Sequence, residues 1–146
     1  MISTDRLDLI PVTLPLLDAA LSSSDELGRQ LAVHVAPGWP PELLDDAAFE
    51  YTRARLTEAP EEAGWWLYFI VERHEGMLIG SAGYKGPPSG GEVEIGYAIT
   101  AGHRRRGYAS EAAAGLVRHA FTNPEIESVA AETYPDMVES IGVLEK

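Results

Sequence analysis

Three strand-like segments follow one another between residues 65 and 99, and no other part of the chain restricts the fold as strongly. Residues 65–72 (WWLYFIVE) are dense in aromatic and β-branched side chains, which favour a buried strand. Residues 77–85 (MLIGSAGYK) and 92–99 (EVEIGYAI) continue the pattern after short turn-like segments. Because short turns join antiparallel neighbours, the three segments predict a β-meander.

The remaining segments add helices on both sides of this meander. In residues 107–121 apolar side chains, mostly alanines, recur at three- and four-residue spacing, which predicts a helix that lies close on a sheet. Residues 34–41 contain three prolines and a glycine and are expected to be irregular. The other predicted elements are strands at 6–12 and 128–133 and helices at 14–21, 25–32, 43–56 and 137–146. This order predicts an α+β fold with a mixed central sheet flanked by helices.

Composition narrows the class of protein. The chain has 146 residues, the usual size of one domain, and we expect residues 1–146 to form a single one. It has no cysteine, which excludes disulfides and thiolate sites. A net charge of −12 argues against a nucleic-acid partner, since such binding depends on neutralising phosphates. No signal-like or membrane-length apolar run occurs, so we expect a cytoplasmic protein without a membrane partner.

An arginine-rich loop precedes the most regular helix. Arg104, Arg105 and Arg106 stand directly before Gly107 in a chain with only 11 basic residues. The first turn of a helix has amides without intrahelical partners, and its dipole favours an anion there. Glycine lets the backbone approach phosphate oxygens closely. The pattern therefore favours an anion site, although a helix start with solvated arginines also fits it.

The same loop carries a resemblance to a known family. Residues 97–99 (YAI), a four-residue spacer and residues 104–112 (RRRGYASEA) resemble motif A of the GNAT N-acetyltransferases. The motif core, Arg/Gln-x-x-Gly-x-Gly/Ala, is matched by Arg104, Gly107 and Ala109. Arg6-Leu7, EIGYAI, GYASEA and SIGVLEK also resemble the ribosomal-protein N-terminal acetyltransferase branch (RimJ/RimL type), in the same order along the chain.

The resemblance implies a GNAT-like fold, acetyl-CoA as acyl donor and acetyl transfer to an amine. It implies that the diphosphate of CoA lies on the motif A loop and that the pantetheine arm runs along the end of the preceding strand. The residues thus expected to bind the donor are Tyr97, Ala98, Ile99, Arg104, Arg105, Arg106, Gly107, Tyr108, Ala109 and Ser110. Arg105 stands where family members commonly have glycine.

Three residues are candidates for catalysis. An acceptor amine arrives largely as ammonium, because its pKa is near ~8–10, so a carboxylate would help to remove the proton. Glu94 is our first candidate and Glu92, on the same predicted face, the second; either can equally be an ordinary strand carboxylate. By resemblance Ser140 protonates the departing thiolate, although it can equally be a plain helix serine. The four histidines have no metal-ligand spacing, so no metal is expected.

The C-terminal region departs from the family. Related enzymes continue with two more strands, so we expect this chain to be an incomplete domain that transfers acetyl poorly. An open edge at residues 128–133 would then permit a homodimer. Two alternatives remain: a non-catalytic acyl-CoA-binding or interaction module, and an unrelated nucleotide-binding domain. The acceptor is a small molecule or a protein N-terminus, and the sequence does not distinguish them.

Overall fold

The computed structural model describes residues 1–42, 44–131 and 142–145. The strands are β1 (Ile2–Ser3), β2 (Leu7–Pro11), β3 (His34–Val35), β4 (Leu67–Glu72), β5 (Met77–Tyr84), β6 (Glu92–Ile99), β7 (Ser128–Ala131) and β8 (Gly142–Glu145). The α-helices are α1 (Leu14–Ser22), α2 (Ser24–Leu31), α3 (Asp46–Glu58) and α4 (Tyr108–Ala120). Short 3₁₀ helices lie at Pro60–Glu62 and Ala101–His103.

The described strands form one mixed sheet in the order β1-β2-β4-β5-β6-β7-β8, with β3 beside the start of β5. Only the β3–β5 and β6–β7 pairings are parallel. Strand alternation places Phe69 and Ile70 of β4 in different hydrophobic clusters. The Ile70 cluster includes Leu116 of α4, and the Phe69 cluster includes Phe49 of α3. Helices therefore cover both faces of the sheet, and the predicted α+β fold is confirmed.

Side-chain caps set where the first three helices begin. The Thr13 hydroxyl accepts the Leu16 N–H, as the sequence predicted, and Ser23 caps α2 in the same way. α3 begins at Asp46 rather than at residue 43, because the Asp45 carboxylate accepts the Ala48 N–H at 3.0 Å. A cap of this kind satisfies an amide that the first turn of a helix leaves without a partner.

Two sequence predictions are wrong. The segment 34–41 is not wholly irregular, because His34 and Val35 pair in parallel with Met77 and Leu78. The predicted C-terminal helix is a strand at Gly142–Glu145, which pairs antiparallel with β7. A neighbouring strand satisfies the backbone groups of β7, and that gain outweighs a weak local helix pattern. The edge predicted to be open therefore has a neighbour in this chain, and a homodimer through it loses its basis.

The position of β6 determines where a ligand can lie. It pairs with β5 from Ile95 to Ile99, whereas its described pairing with β7 covers only Glu92–Ile95. β6, α4 and β7 form a parallel crossover, so the carboxyl end of β6 and the N-terminus of α4 lie at the same end of the sheet. In open sheets with parallel strands, ligands bind at such ends.

Candidate functional site

The connection between β6 and α4 has two left-handed residues. After β6 the chain forms the short 3₁₀ helix at Ala101–His103 and then turns sharply into α4. Arg105 has φ +64° and Gly107, the N-cap residue of α4, has φ +81°. Glycine adopts such values without a steric penalty, which accounts for glycine at residue 107. It also accounts for the glycine that the family commonly has at the position of Arg105.

The N-terminus of α4 is open to an anion. No side chain caps this helix, and its first described backbone bond runs from the Glu111 N–H to the Gly107 carbonyl at 3.0 Å. The amides of residues 108–110 therefore have no intrahelical acceptor, and the helix dipole adds positive potential there. Ser110 is exposed and Ala109 half-buried, so an anion can reach these amides. The arrangement fits a diphosphate.

The three arginines of the loop have different surroundings. Arg104 is turned back, and its Nε donates to the Ile99 carbonyl at 3.0 Å. Arg106 lies 3.9 Å from the carboxylate of Glu75. Arg105 is exposed and forms no ion pair with a carboxylate in the part of the chain that the structure describes. Arg104 therefore contacts the end of β6, whereas the side chains of Arg105 and Arg106 are exposed to solvent.

A hydrogen-bond network joins the N-terminal segment to the first turn of α4. The Glu111 carboxylate accepts from the Thr4 hydroxyl, from the Arg6 backbone at 2.8 Å and from the Arg6 Nε at 2.7 Å. Burial alone would raise the pKa of Glu111, but these bonds outweigh it and lower that pKa. The bond from Arg6 to Glu111 raises the pKa of the Arg6 guanidinium in turn. Glu111 is the only acidic residue in the first turn of α4, and its negative charge is paired with the Arg6 guanidinium. This pairing lies at the helix end that would receive an anion.

The guanidinium of Arg6 also packs on the loop. It lies 4.4 Å from the centre of the Tyr108 ring, and its Nη2 would lie 3.3 Å from a Cβ placed on Gly107. Arg6 and the GYASEA segment each carry part of the family resemblance, but no pattern in the sequence predicts that Arg6 contacts Tyr108 and Glu111 of that segment. Tyr108 is itself buried, with the buried His103 ring 6.2 Å away. Tyr108 can therefore contact a ligand at the helix end mainly through its backbone N–H.

The strand residues predicted to bind the donor are Tyr97, Ala98 and Ile99. They form the carboxyl end of β6, beside the β6–α4 loop. The side chains of Tyr97 and Ile99 point into the core that α4 covers, so only their backbone groups can face a ligand. Ala98 belongs to the opposite face. The structure thus brings together the end of β6 and the N-terminus of α4, as the sequence predicted, although no ligand is present to identify their role.

The first candidate base lies in an ion pair. Lys85, the residue after β5, donates its backbone N–H to the Glu94 carbonyl at 2.8 Å, and the Glu94 carboxylate is 2.7 Å from the Lys85 ammonium. The Glu94 side chain is 41% exposed and shares a face with Gly96 and Ala98. Glu92, the second candidate, accepts from Ser128 at 3.2 Å. Ser140 lies outside the described residues.

A cavity of about 260 Å³ lies on the Glu94 face of the sheet. α3 supplies Ala48 and Thr52 to its wall, and β4, β5 and β6 supply the floor, including residues 96–98; Trp66, the residue before β4, also lines it. Its lining is mostly apolar. The cavity therefore lies on the opposite face of β6 from α4 and reaches the strand end where a thioester is expected.

No group of three or more histidine, aspartate or glutamate side chains among residues 1–42, 44–131 and 142–145 could hold a metal ion. In those ranges no helix has both the length and the apolar character that a membrane span requires.

Comparison with known proteins gives the class. Residues 6–146 match the acetyltransferase (GNAT) domain family. The chain is 31% identical over 147 residues to "Uncharacterized N-acetyltransferase YjdG" of Bacillus subtilis (strain 168), which covers 100% of this chain and 87% of that protein.

Two solved structures share the fold. A Vibrio cholerae protein assigned as a ribosomal-protein-serine acetyltransferase has a TM-score of 0.59 at 21% identity, covering 94% of this chain and 75% of its own. The microcin C7 self-immunity acetyltransferase MccE, solved with acetyl-CoA and AMP, has a TM-score of 0.57 at 15% identity, covering 91% and 72%.

The sheet and the crossover into α4 form the fold that these acetyltransferase structures share. The chain belongs to the GNAT acetyltransferase family, whose acyl donor is acetyl-CoA. The fold and family predicted from the sequence are thereby confirmed. The RimJ/RimL branch and the incompleteness of the domain stay predictions.

Proposed function

We propose that the protein transfers the acetyl group of acetyl-CoA to a primary amine by direct attack within a ternary complex. The observation that carries this proposal is the uncapped N-terminus of α4 beside the carboxyl end of β6. An anion-binding helix end next to an open strand edge suits a ligand with a diphosphate and an extended amide-bearing arm.

The donor's diphosphate is assigned to the amides of residues 108–110, with Arg105 and Arg106 adding positive charge. The pantetheine arm is assigned to the backbone of Tyr97, Ala98 and Ile99. When bound, acetyl-CoA supplies a thioester whose carbonyl a backbone amide at this strand end polarises. The complex of MccE with acetyl-CoA supports a donor of this kind for the fold. Arg6 keeps Glu111 neutralised and so lowers repulsion of the phosphates.

The acceptor is assigned to the cavity face of β6, where Glu94 lies. Glu94 takes the proton of the ammonium, directly or through water, which leaves a neutral amine to attack. The Lys85 ammonium lies 2.7 Å from that carboxylate. Three further expectations rest on the sequence alone. They are protonation of the thiolate by Ser140, membership of the RimJ/RimL branch and a cytoplasmic location.

The direct test is product analysis. Purified protein is incubated with acetyl-CoA carrying a ¹³C-labelled acetyl group and with a panel of small amines and peptides. Mass spectrometry is expected to detect a labelled acetyl group on at least one amine, at a rate that depends on the protein. Binding of CoA without transfer to any member would favour the alternative, a non-catalytic acyl-CoA-binding module.

Glu94→Gln tests the proton acceptor. Turnover is expected to fall by about 10²-fold or more, because a positioned general base contributes on that order. The loss is expected to be largest at low pH, where the acceptor is protonated, and smaller at high pH. Lys85→Gln serves as the matched control, since it breaks the ion pair and keeps the carboxylate. A loss equal at every pH would indicate a packing role for Glu94, and an unchanged rate would end the assignment.

A further inference from the structure

The cavity on the acceptor side has a composition that restricts which amines it can take. Its walls are apolar on several sides, with Leu44 and Ala48 above and Trp66, Leu67 and Ala82 among the rest. Such a surface gains free energy from covering apolar groups and none from covering charge. The lining therefore favours the carbon part of an acceptor over a second polar end.

Charge at the cavity points the same way. Lys85 is the only ionisable acid or base among the described lining residues apart from tyrosines, and it is positive. The nearest candidate anion, Glu94, already pairs with Lys85 at 2.7 Å. A second ammonium on the acceptor would thus enter an apolar space without a described carboxylate on its wall, which is costly.

Size sets a further limit. The cavity volume is about 260 Å³. Pockets for drug-sized ligands span roughly 300–1,000 Å³, so this one suits a short branched chain or a single ring. The Thr52 hydroxyl, a polar group of the lining, already donates to the Ala48 carbonyl at 3.0 Å within α3.

We infer that the acceptor is a small primary monoamine whose apolar substituent occupies this cavity, with the amine directed to the end of β6. The inference rests on the proposed function, because it takes the same face of β6 to be the acceptor side. It disfavours polyamines and aminoglycosides, which carry several positive charges. It also disfavours protein N-termini, whose following peptide groups an apolar lining would not satisfy.

The test compares ethylamine, butylamine, spermidine and a leucine-initiated tetrapeptide by calorimetric binding to the CoA-bound protein and by acetylation rate. Two more buried methylenes are expected to improve binding of butylamine over ethylamine by up to about 15-fold. Ala48→Phe fills the cavity and is expected to remove that advantage while ethylamine binds as before. Ala47→Phe adds the same ring one residue earlier, where α3 is exposed, and is expected to change neither amine.

Several results would overturn the inference: equal affinity for butylamine and ethylamine, tighter binding of spermidine or of the peptide, or equal effects of Ala48→Phe on both amines. A failure of the proposed function is distinguishable from these. In that case butylamine would bind with the expected selectivity, and Ala48→Phe would weaken it, but no amine would be acetylated.

Discussion

Arg105 occupies a backbone position that non-glycine residues rarely adopt, with φ +64°. Family members commonly have glycine there, so the chain keeps the loop conformation and accepts the strain of a side chain. The strain is local, because Arg105 is exposed and forms no ion pair with any described carboxylate. An arginine here places a guanidinium beside the anion-binding amides of α4, which is a functional reason to keep it.

Replacing Arg105 by glycine is expected to leave the free energy of unfolding unchanged or to raise it by up to about 1.5 kcal/mol. Relief of the left-handed strain is worth about 1–2 kcal/mol, and the added freedom of the unfolded chain takes back about 0.5–1 kcal/mol. Arg106→Gly is the matched control. Arg106 has no positive φ, so this variant is expected to lose about 0.5–1 kcal/mol. Denaturant unfolding measures both, and equal destabilisation would contradict the account.

Glu111 links stability to pH. Its pKa is lowered from 4.5 in the folded protein, so its bonds to Thr4 and Arg6 stabilise the fold above the unfolded pKa. That contribution is lost as the pH falls through the folded pKa. Glu111→Gln is expected to cost about 1–3 kcal/mol at pH 7, because bonds to a charged group are broken. The difference from the wild type should begin to shrink near the unfolded pKa of about 4.3, where the unfolded chain takes up a proton first, and should shrink further as the pH falls through the folded pKa. A difference constant from pH 7 to pH 3 would contradict the assignment.

Among the helices and strands, α4 is the one at which donor binding can be tested most directly, by a substitution at its N-terminus. Gly107→Glu puts a carboxylate at the N-cap, close to the Arg6 guanidinium and in front of the amides. It is expected to abolish CoA binding through repulsion and steric block. Gly90→Glu is the matched control, because Gly90 also has positive φ, +59°, and open space, and it lies in the loop between β5 and β6. Calorimetry should find CoA affinity unchanged in this control, and equal losses in both variants would contradict the site.

Local pattern was sufficient for most elements and failed where distant partners decide. The β-branched and aromatic content of β4 and the alanine stripe of α4 gave their type and nearly their bounds. Gly142–Glu145 was misassigned as helix because its strand state depends on pairing with β7. Arg6 and Glu111 are 105 residues apart, and no local periodicity connects them. The loop proposed to bind the donor could be named from the sequence because one short segment carries it, whereas the cavity proposed for the acceptor needs α3, β4, β5 and β6 together.

In the whole molecule, helices cover both faces of the sheet, and the proposed donor and acceptor sites lie on different faces. α4 covers one face and carries the proposed donor site at its N-terminus, while α1, α2 and α3 cover the other face, where the proposed acceptor cavity lies. β6 is common to both proposed sites. Its carboxyl end lies beside the β6–α4 loop, and its Glu94, Gly96 and Ala98 lie on the cavity face. A reaction between donor and acceptor can therefore take place at β6 without a rearrangement of the sheet.

The measurement that tests this account most directly is a backbone amide NMR titration with CoA and, separately, with pantetheine, which lacks the diphosphate. We expect CoA to shift the amide signals of residues 105–110 and of Tyr97, Ala98 and Ile99. Pantetheine is expected to shift only the strand signals, since it has no anion for the helix end. The proposed donor site would be contradicted if CoA left the amide signals of residues 108–110 unchanged. Shifts confined to the polar surface between Arg29 and Glu75 would place the donor elsewhere.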